Sequence, residues 1–172
     1  VGSEMCIRDR SKSIINGCSG DMFAYKESTV AQIPVTEITN STLIKPQGRI
    51  FYAGNAASFS IDYCTMYGWG GSKAMLELGD KNTLGMSLAI KNTILANGGS
   101  NRKAHNANAA ANLSLTIEKV YGTNDMTFHS TLGDVTKYDK PSTEVFENPE
   151  EGNFKIIDAL FPSSIGDPRW TE

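Results

Sequence analysis

Cysteine, histidine and unbroken apolar sequence are all scarce in this chain. Three cysteines occur in 172 residues, and Cys6, Cys18 and Cys64 stand far apart in no CxxC or Cys/His spacing. That excludes a disulfide scaffold and a zinc site of the usual ligand spacing. His105 and His129 have no carboxylate or cysteine partner at ligand distance along the chain, so both read as surface or hydrogen-bonded histidines, and neither a metal nor a cofactor is expected. Sixteen basic residues against nineteen acidic ones give a net charge of -3 without clustering, so no nucleic-acid partner is expected. No run of about 18 apolar residues is present, which excludes a membrane-spanning helix in the recorded sequence. The expected setting is the cytoplasm, with no membrane partner.

The first ten residues, VGSEMCIRDR, read as a translated sequencing-library adapter, the transposon end used to fragment DNA. On that reading residues 1–10 are not native, and residues 11–172 form a single domain truncated at its amino end. Leaving out Glu4, Arg8, Asp9 and Arg10 removes two charges of each sign, so the balance does not change. The remaining length suffices for one core without staples.

What is present is a series of short apolar runs. Thr29 to Ile44 is dense in β-branched residues but fits neither alternation nor a helical stripe. After the turn Lys45-Pro46-Gln47-Gly48, the run from Arg49 to Ala53 reads as a buried strand. Small residues from Gly54 to Ser58 follow, then Ile61, Cys64 and Tyr67 spaced by three, which predicts a helix over 60–67. Glycines 68, 70 and 71 stop it, and Lys73 to Leu78 returns as a second strand, making a βαβ unit. Leu84, Leu88 and Leu95, with Ile90 and Ile94 beside them, predict a helix ending at Asn97-Gly98-Gly99. Lys103 to Asn112 is alanine-rich and helical by composition, Leu113 to Ile117 alternates as a half-buried strand, and Met126 to Tyr138 reads as a hairpin arm. Phe154 to Phe161 closes the core, and Trp170 reads either as a tail anchor or as an exposed partner contact. No internal repeat is apparent. The expected fold is α/β, a parallel sheet flanked by helices in the Rossmann-like manner; the alternative is α+β with an antiparallel sheet.

A strand that ends in small residues and feeds a helix can hold an anion on backbone N–H groups and the helix's partial positive charge. Gly54, Asn55, Ser58 and Ser60 occupy that position; a plain strand-to-helix turn is the competing reading. The runs GRIFYAGNAAS, SIDYCTMYGW and GGSKAMLEL resemble the sugar isomerase (SIS) family of phosphosugar-binding domains. The resemblance implies a sugar-phosphate partner held by Ser58 and by a second loop at Ser100 and Asn101, and a phosphosugar-binding or sugar-phosphate isomerase function, with homo-oligomers in prospect. It leaves catalysis open, because the family's helix carboxylate aligns with Gly68. The carboxylates of Asp62 and Glu77 read as solvent-facing or capping. Tyr67 and Lys73 stand six apart, where a dehydrogenase pair on one helix face stands four apart. The strand also resembles the flavin-contacting C-terminal segment of amine oxidases, with Asn55 in place of the acidic residue. A different class is suggested by the abundance of Asn, Ser, Thr and Gly: a phage or surface protein that works by assembly and has no catalytic activity.

Overall fold

A computed structural model describes residues 7–25, 35–54, 57–79 and 85–171, with side chains from residue 12 onward. The chain winds as a parallel β-solenoid. A first coil carries β1 (Ile7–Ser11), β2 (Ile14–Asn16) and β3 (Phe23–Tyr25), and a second β4 (Val35–Thr39), β5 (Thr42–Ile44) and β6 (Phe51–Ala53). The third carries β7 (Ser58–Asp62), β8 (Thr65–Tyr67) and β9 (Leu76–Leu78), and the fourth β10 (Met86–Lys91) and β11 (Ile94–Ala96), followed by the one-turn α1 (Ala107–Ala110). A fifth has β12 (Leu113–Glu118) and β13 (Tyr121–Gly122). Like-placed strands stack into three sheets: β1-β4-β7-β10-β12 as sheet 1, β2-β5-β8-β11-β13-β14 as sheet 2, with β14 at Thr136–Lys137, and β3-β6-β9 as sheet 3. Every pairing within these three sheets is parallel.

The corners explain why the chain turns where it does. Between sheets 1 and 2 each coil spends one residue in the left-handed region: Lys12, Asn40, Tyr63, Asn92 and Lys119, with φ between 42° and 53°. Such a residue swings the backbone sharply without a long loop. The next residue, Ser41, Cys64, Thr93 or Val120, is small or β-branched and fully enclosed. The hydroxyls of Ser41 and Thr93 donate to the carbonyls of Thr39 and Lys91 two residues back, each at 2.6 Å, and staple the bend. Burial pushes the Cys64 thiol up to about 12, so this cysteine serves as corner filling and not as a nucleophile.

Inside the coils, residues stack in rows at the ~4.8 Å strand spacing. Ile38, Ile61 and Ile90 form one row, all fully buried, and Ile117 extends it. Phe23, Phe51 and Phe59 form an aromatic run, with Phe51 and Phe59 stacked at 4.5 Å between ring centroids. Met126 and Leu132 are buried at the end of this core, with Phe128 and Val135 packed against it.

The expected Rossmann-like α/β fold is overturned by this topology, and so is the antiparallel alternative. The parallel pairing of the 49–53 and 73–78 strands is present, as β6 beside β9, but one solenoid turn connects them and not a helix. Residues 60–67 form β7 and β8, and residues 86–96 form β10 and β11. The hairpin expected from Met126 to Tyr138 is replaced by β14, which joins β13 in parallel. Coils do repeat: the register partners Ile7, Val35, Ser58, Ser87 and Ser114 lie 28, 23, 29 and 27 residues apart. Leu113 to Glu118 is the half-buried strand its alternation predicts.

Residues 138 and 140 still bond to the stack, through Tyr138 N–H to the Gly122 carbonyl and Asn124 N–H to the Lys140 carbonyl, and after Lys140 the chain leaves it as a C-terminal arm. It contains α2 (Ser142–Val145) and an antiparallel hairpin of β15 (Phe146–Asn148) and β16 (Asn153–Ile156), and it ends in a short turn at Pro168–Trp170. The arm lies on the outer face of sheet 2. Val145, Phe146, Phe154, Phe161 and Ile165 cluster there with Ile44, Tyr67, Ile94 and Ala96. Sheet 2 is therefore buried on both faces.

Candidate functional site

The residues expected to hold a phosphate are distributed over different parts of the coil. Gly54 follows β6 and donates its N–H to Tyr25 C=O at 2.6 Å; Asn55 lies outside the described residues. Ser58 and Ser60 lie on the outer face of sheet 1, with the Ser58 hydroxyl 2.7 Å from that of Ser87. Ser100 and Asn101 occupy the corner after β11, where Asn101 has φ 57° and donates its N–H to Thr127 Oγ1 at 2.8 Å. A strand, β7, stands where both family resemblances place a helix after Ala53, so no helix N-terminus meets this loop.

The remaining candidates have structural partners. Asp62 accepts from Asn92 Nδ2 at 2.8 Å. Glu77 pairs with Arg49 at 2.8 Å and lies 3.9 Å from Lys73. Tyr67 is enclosed under the arm, well apart in role from Lys73 on its exposed corner. His105 Nδ1 contacts the Asn106 carbonyl at 2.9 Å, and His129 caps the turn at Ser130–Leu132. Among the described residues no group of three or more His, Cys, Asp or Glu could hold a metal, and no helix is long and apolar enough to cross a membrane.

The densest polar chemistry joins the arm to the solenoid, at four points. At the first, Asp167, 1% exposed, accepts from Thr42 Oγ1 at 2.7 Å, and its N–H donates to Thr65 Oγ1 at 3.1 Å. Trp170 Nε1 donates to the same Thr42 hydroxyl at 2.7 Å, while its ring meets Phe154 edge-on. Thr42 and Thr65 are register partners on sheet 2, so one aspartate and one indole clip two successive coils. Trp170 is thus the tail anchor its position suggests. Gly166 precedes the clip at φ +93°, and a Cβ there would come within 2.6 Å of Ile94 Cδ1; only glycine fits this approach.

At the second point Glu150 accepts from Tyr67 Oη at 2.5 Å and from Asn97 Nδ2 at 3.2 Å, with Lys45 Nζ at 3.4 Å. Burial, and then the Glu150 carboxylate, push the Tyr67 phenol up to about 12. The Tyr67 and Lys45 bonds in turn lower Glu150. At the third, Asp125 accepts from Ser142 N–H at 2.9 Å, Ser142 Oγ at 2.5 Å and Thr123 Oγ1 at 2.5 Å. Burial raises this carboxyl, but the hydroxyl and amide donors together outweigh it and the net shift is downward. At the fourth, Asp158 accepts from Tyr138 Oη at 2.6 Å and Lys140 Nζ at 2.9 Å, bonds that draw its carboxyl down to about 2.

A scan of protein-family models matches residues 59–170 to one described as "Domain of unknown function (DUF5123)". The chain belongs to the DUF5123 family. The match runs from the first residues of β7 to Trp170, so the DUF5123 unit takes in the later coils, the residues from Met126 to Val135 that close the end of the core, and the whole arm. The sugar isomerase resemblance is thereby corrected: the family matched is DUF5123, and its solenoid has no phosphosugar topology. No curated protein and no solved structure gives a significant match to the chain.

Sequence reasoning missed the DUF5123 arm junction because its members are scattered from Thr42 to Trp170. The signal that was there is Gly166-Asp167-Pro168-Arg169-Trp170, in which a glycine, an N-capping aspartate and a proline precede a large aromatic.

A pH dependence follows from the shifts. Asp158, Asp125 and Glu150 are lowered on folding, so the stability they contribute is complete above their unfolded range near 4 and is lost as pH falls below it, in the case of Asp158 through about 2. Tyr67 and Tyr138 are raised to about 12, so their contribution is complete below about 10 and is lost as pH rises through 12. Thermal unfolding from pH 2 to 11 should show a plateau from about pH 5 to 9 with a fall on each side. A stability maximum near pH 3 would contradict the assignment.

Proposed function

We propose that the chain is a non-catalytic structural module, a stiff β-solenoid whose work is to present and join surfaces, as a surface or particle assembly protein does. The observation that supports this reading is the use made of its carboxylates. Among the described residues, Asp125, Glu150 and Asp158 are the carboxylates whose proton affinity is displaced, and each displacement is downward. A general acid or base working near neutrality needs the opposite displacement. Each of the three is instead occupied by hydroxyl, amide or ammonium donors across the arm junction. Such an arrangement fastens one segment to another.

Neutralising these groups tests the reading. Catalytic carboxylates are commonly held at some expense to stability, so their removal leaves the melting temperature unchanged or raises it. Fastening carboxylates behave in the reverse way. Asp125→Asn should destabilise by about 2 kcal/mol, because the Ser142 and Thr123 hydroxyls lose a charged acceptor, and the melting temperature should fall by about 4–8 °C. Asp158→Asn and Glu150→Gln should lower it too. A rise in melting temperature for any of the three would count against a purely structural role.

A further inference from the structure

Sheet 1 stops at β12, whereas sheet 2 continues one strand further, to β14. Hydrogen bonds from Met86 N–H to the Asn112 carbonyl and from Asn92 N–H to the Glu118 carbonyl fix which backbone groups of β12 face β10. In a parallel ladder the bonding alternates, so the even-numbered residues of β12 bond inward, and the N–H and C=O groups of Leu113, Leu115 and Ile117 face the open edge. Among the described residues no strand pairs with that edge. The side chains show the same gap. Leu115 and Ile117 are only partly buried, while Leu88 and Ile90, their partners one coil back, are fully buried. Rows in this solenoid carry like beside like: Leu88 with Leu115, Ile61 with Ile90 and Ile117, Ser58 with Ser87 and Ser114.

We propose that β12 is a docking edge for an extended peptide strand of a partner protein, added to sheet 1 as its sixth strand. The rows state its chemistry: apolar side chains at alternate positions, turned to the core, and small hydroxyl-bearing residues between them. Strand addition of this kind takes affinity from main-chain hydrogen bonds and specificity from the alternate side chains. The remainder of the cross-section argues for a single strand over a second solenoid. β14 already extends sheet 2 past β13, and Leu132 and Val135 pack over the end of the core, so a copy stacked end to end meets them before its own edge reaches β12. The inference rests on the structural reading above but is tested separately, by binding and not by the stability of the arm junction.

The test uses the full chain and a fluorescent peptide with the sequence of residues 112–119, NLSLTIEK, which follows the row chemistry. Saturable anisotropy binding is expected, together with at least a tenfold loss for one of two N-methylated forms, methylated at alternate residues, and little loss for the other. Only one set of amides can face β12. In the protein, Leu115→Pro removes an edge-facing N–H and should abolish binding; if that variant fails to fold, the N-methyl pair still decides. No saturable binding at millimolar peptide, equal binding of a scrambled peptide, or equal behaviour of both methylated forms would overturn the proposal. So would a concentration-dependent dimer in sedimentation that Leu115→Pro removes, which would assign the edge to a second copy.

Discussion

Ending the chain at Lys140 should yield a protein that collects in the insoluble fraction. The outer face of sheet 2 carries Ile44, Tyr67, Ile94 and Ala96, each buried against the arm. Val145, Phe146, Phe154, Phe161 and Ile165 contribute the other half of that contact. At roughly 2 kcal/mol for each large apolar side chain removed from water, these five correspond to about 10 kcal/mol of gross burial. That is comparable with the whole net stability of an ordinary domain. The uncovered sheet face would also be a contiguous apolar patch of the kind that drives association. The measurement is solubility and sedimentation of the truncated chain beside the full one. A soluble, monomeric truncation with an unchanged melting temperature would show that the arm is an ornament to the fold.

The second large effect is expected inside the coils. Phe51 is fully buried between Phe23, at 6.0 Å, and Phe59, at 4.5 Å, and so joins sheet 3 of two coils to sheet 1 of the next. Phe51→Ala opens a ring-sized cavity and should destabilise by about 3–5 kcal/mol. Because each coil touches only its neighbours, a weakness in the second coil separates the first from the rest. Denaturant unfolding should therefore show a lower midpoint, and also a lower slope if the terminal coil detaches first. Phe51→Leu keeps most of the volume and should lose markedly less. Equal losses for the two variants would mean that the aromatic run is not the joint described.

Much of the local structure was legible in the sequence, and its assembly was not. Short strands lie within the 49–53 and 73–78 runs, as β6 and β9, and pair in parallel; the half-buried alternation of Leu113 to Glu118 is present, and of the two readings of Trp170 the structure has the anchor. The helices over 60–67 and 84–95 failed for one physical reason. At a corner the inward residues run two apart along one strand, three apart across the bend and two apart again, as in Leu88, Ile90, Thr93 and Leu95. The three-residue step across the bend and the seven residues from Leu88 to Leu95 coincide with the i, i+3 and i+7 offsets of a helical face. Ile61, Cys64 and Tyr67 mimic a helix in the same way: Ile61 points into the core from sheet 1, Cys64 fills the corner, and Tyr67 points out under the arm.

The repeat was hidden by unequal coils. Ile38-Thr39-Asn40-Ser41-Thr42-Leu43, Ile61-Asp62-Tyr63-Cys64-Thr65-Met66 and Ile90-Lys91-Asn92-Thr93-Ile94-Leu95 share one pattern: an inward isoleucine, a left-handed corner residue two positions on, an enclosed small residue and an inward apolar one. Their spacings of 23 and 29 residues defeat a search at one fixed period. Sheet 2 gave no alternation because the arm buries its second face, and nothing local in Thr42-Leu43-Ile44 announces a cover that arrives from residues 145–170. The phosphate reading of Gly54 to Ser60 failed with the helix it required.

The stacking itself is most directly tested by cross-linking. With Cys6, Cys18 and Cys64 replaced by serine, the pair Ser58→Cys and Ser87→Cys should close a disulfide on mild oxidation, since the two serine hydroxyls lie 2.7 Å apart on adjacent strands. The pair Ser58→Cys and Ser114→Cys, two strand spacings or about 9.6 Å apart, should stay reduced. Closure of the second pair, or failure of the first in a folded protein, would contradict the solenoid.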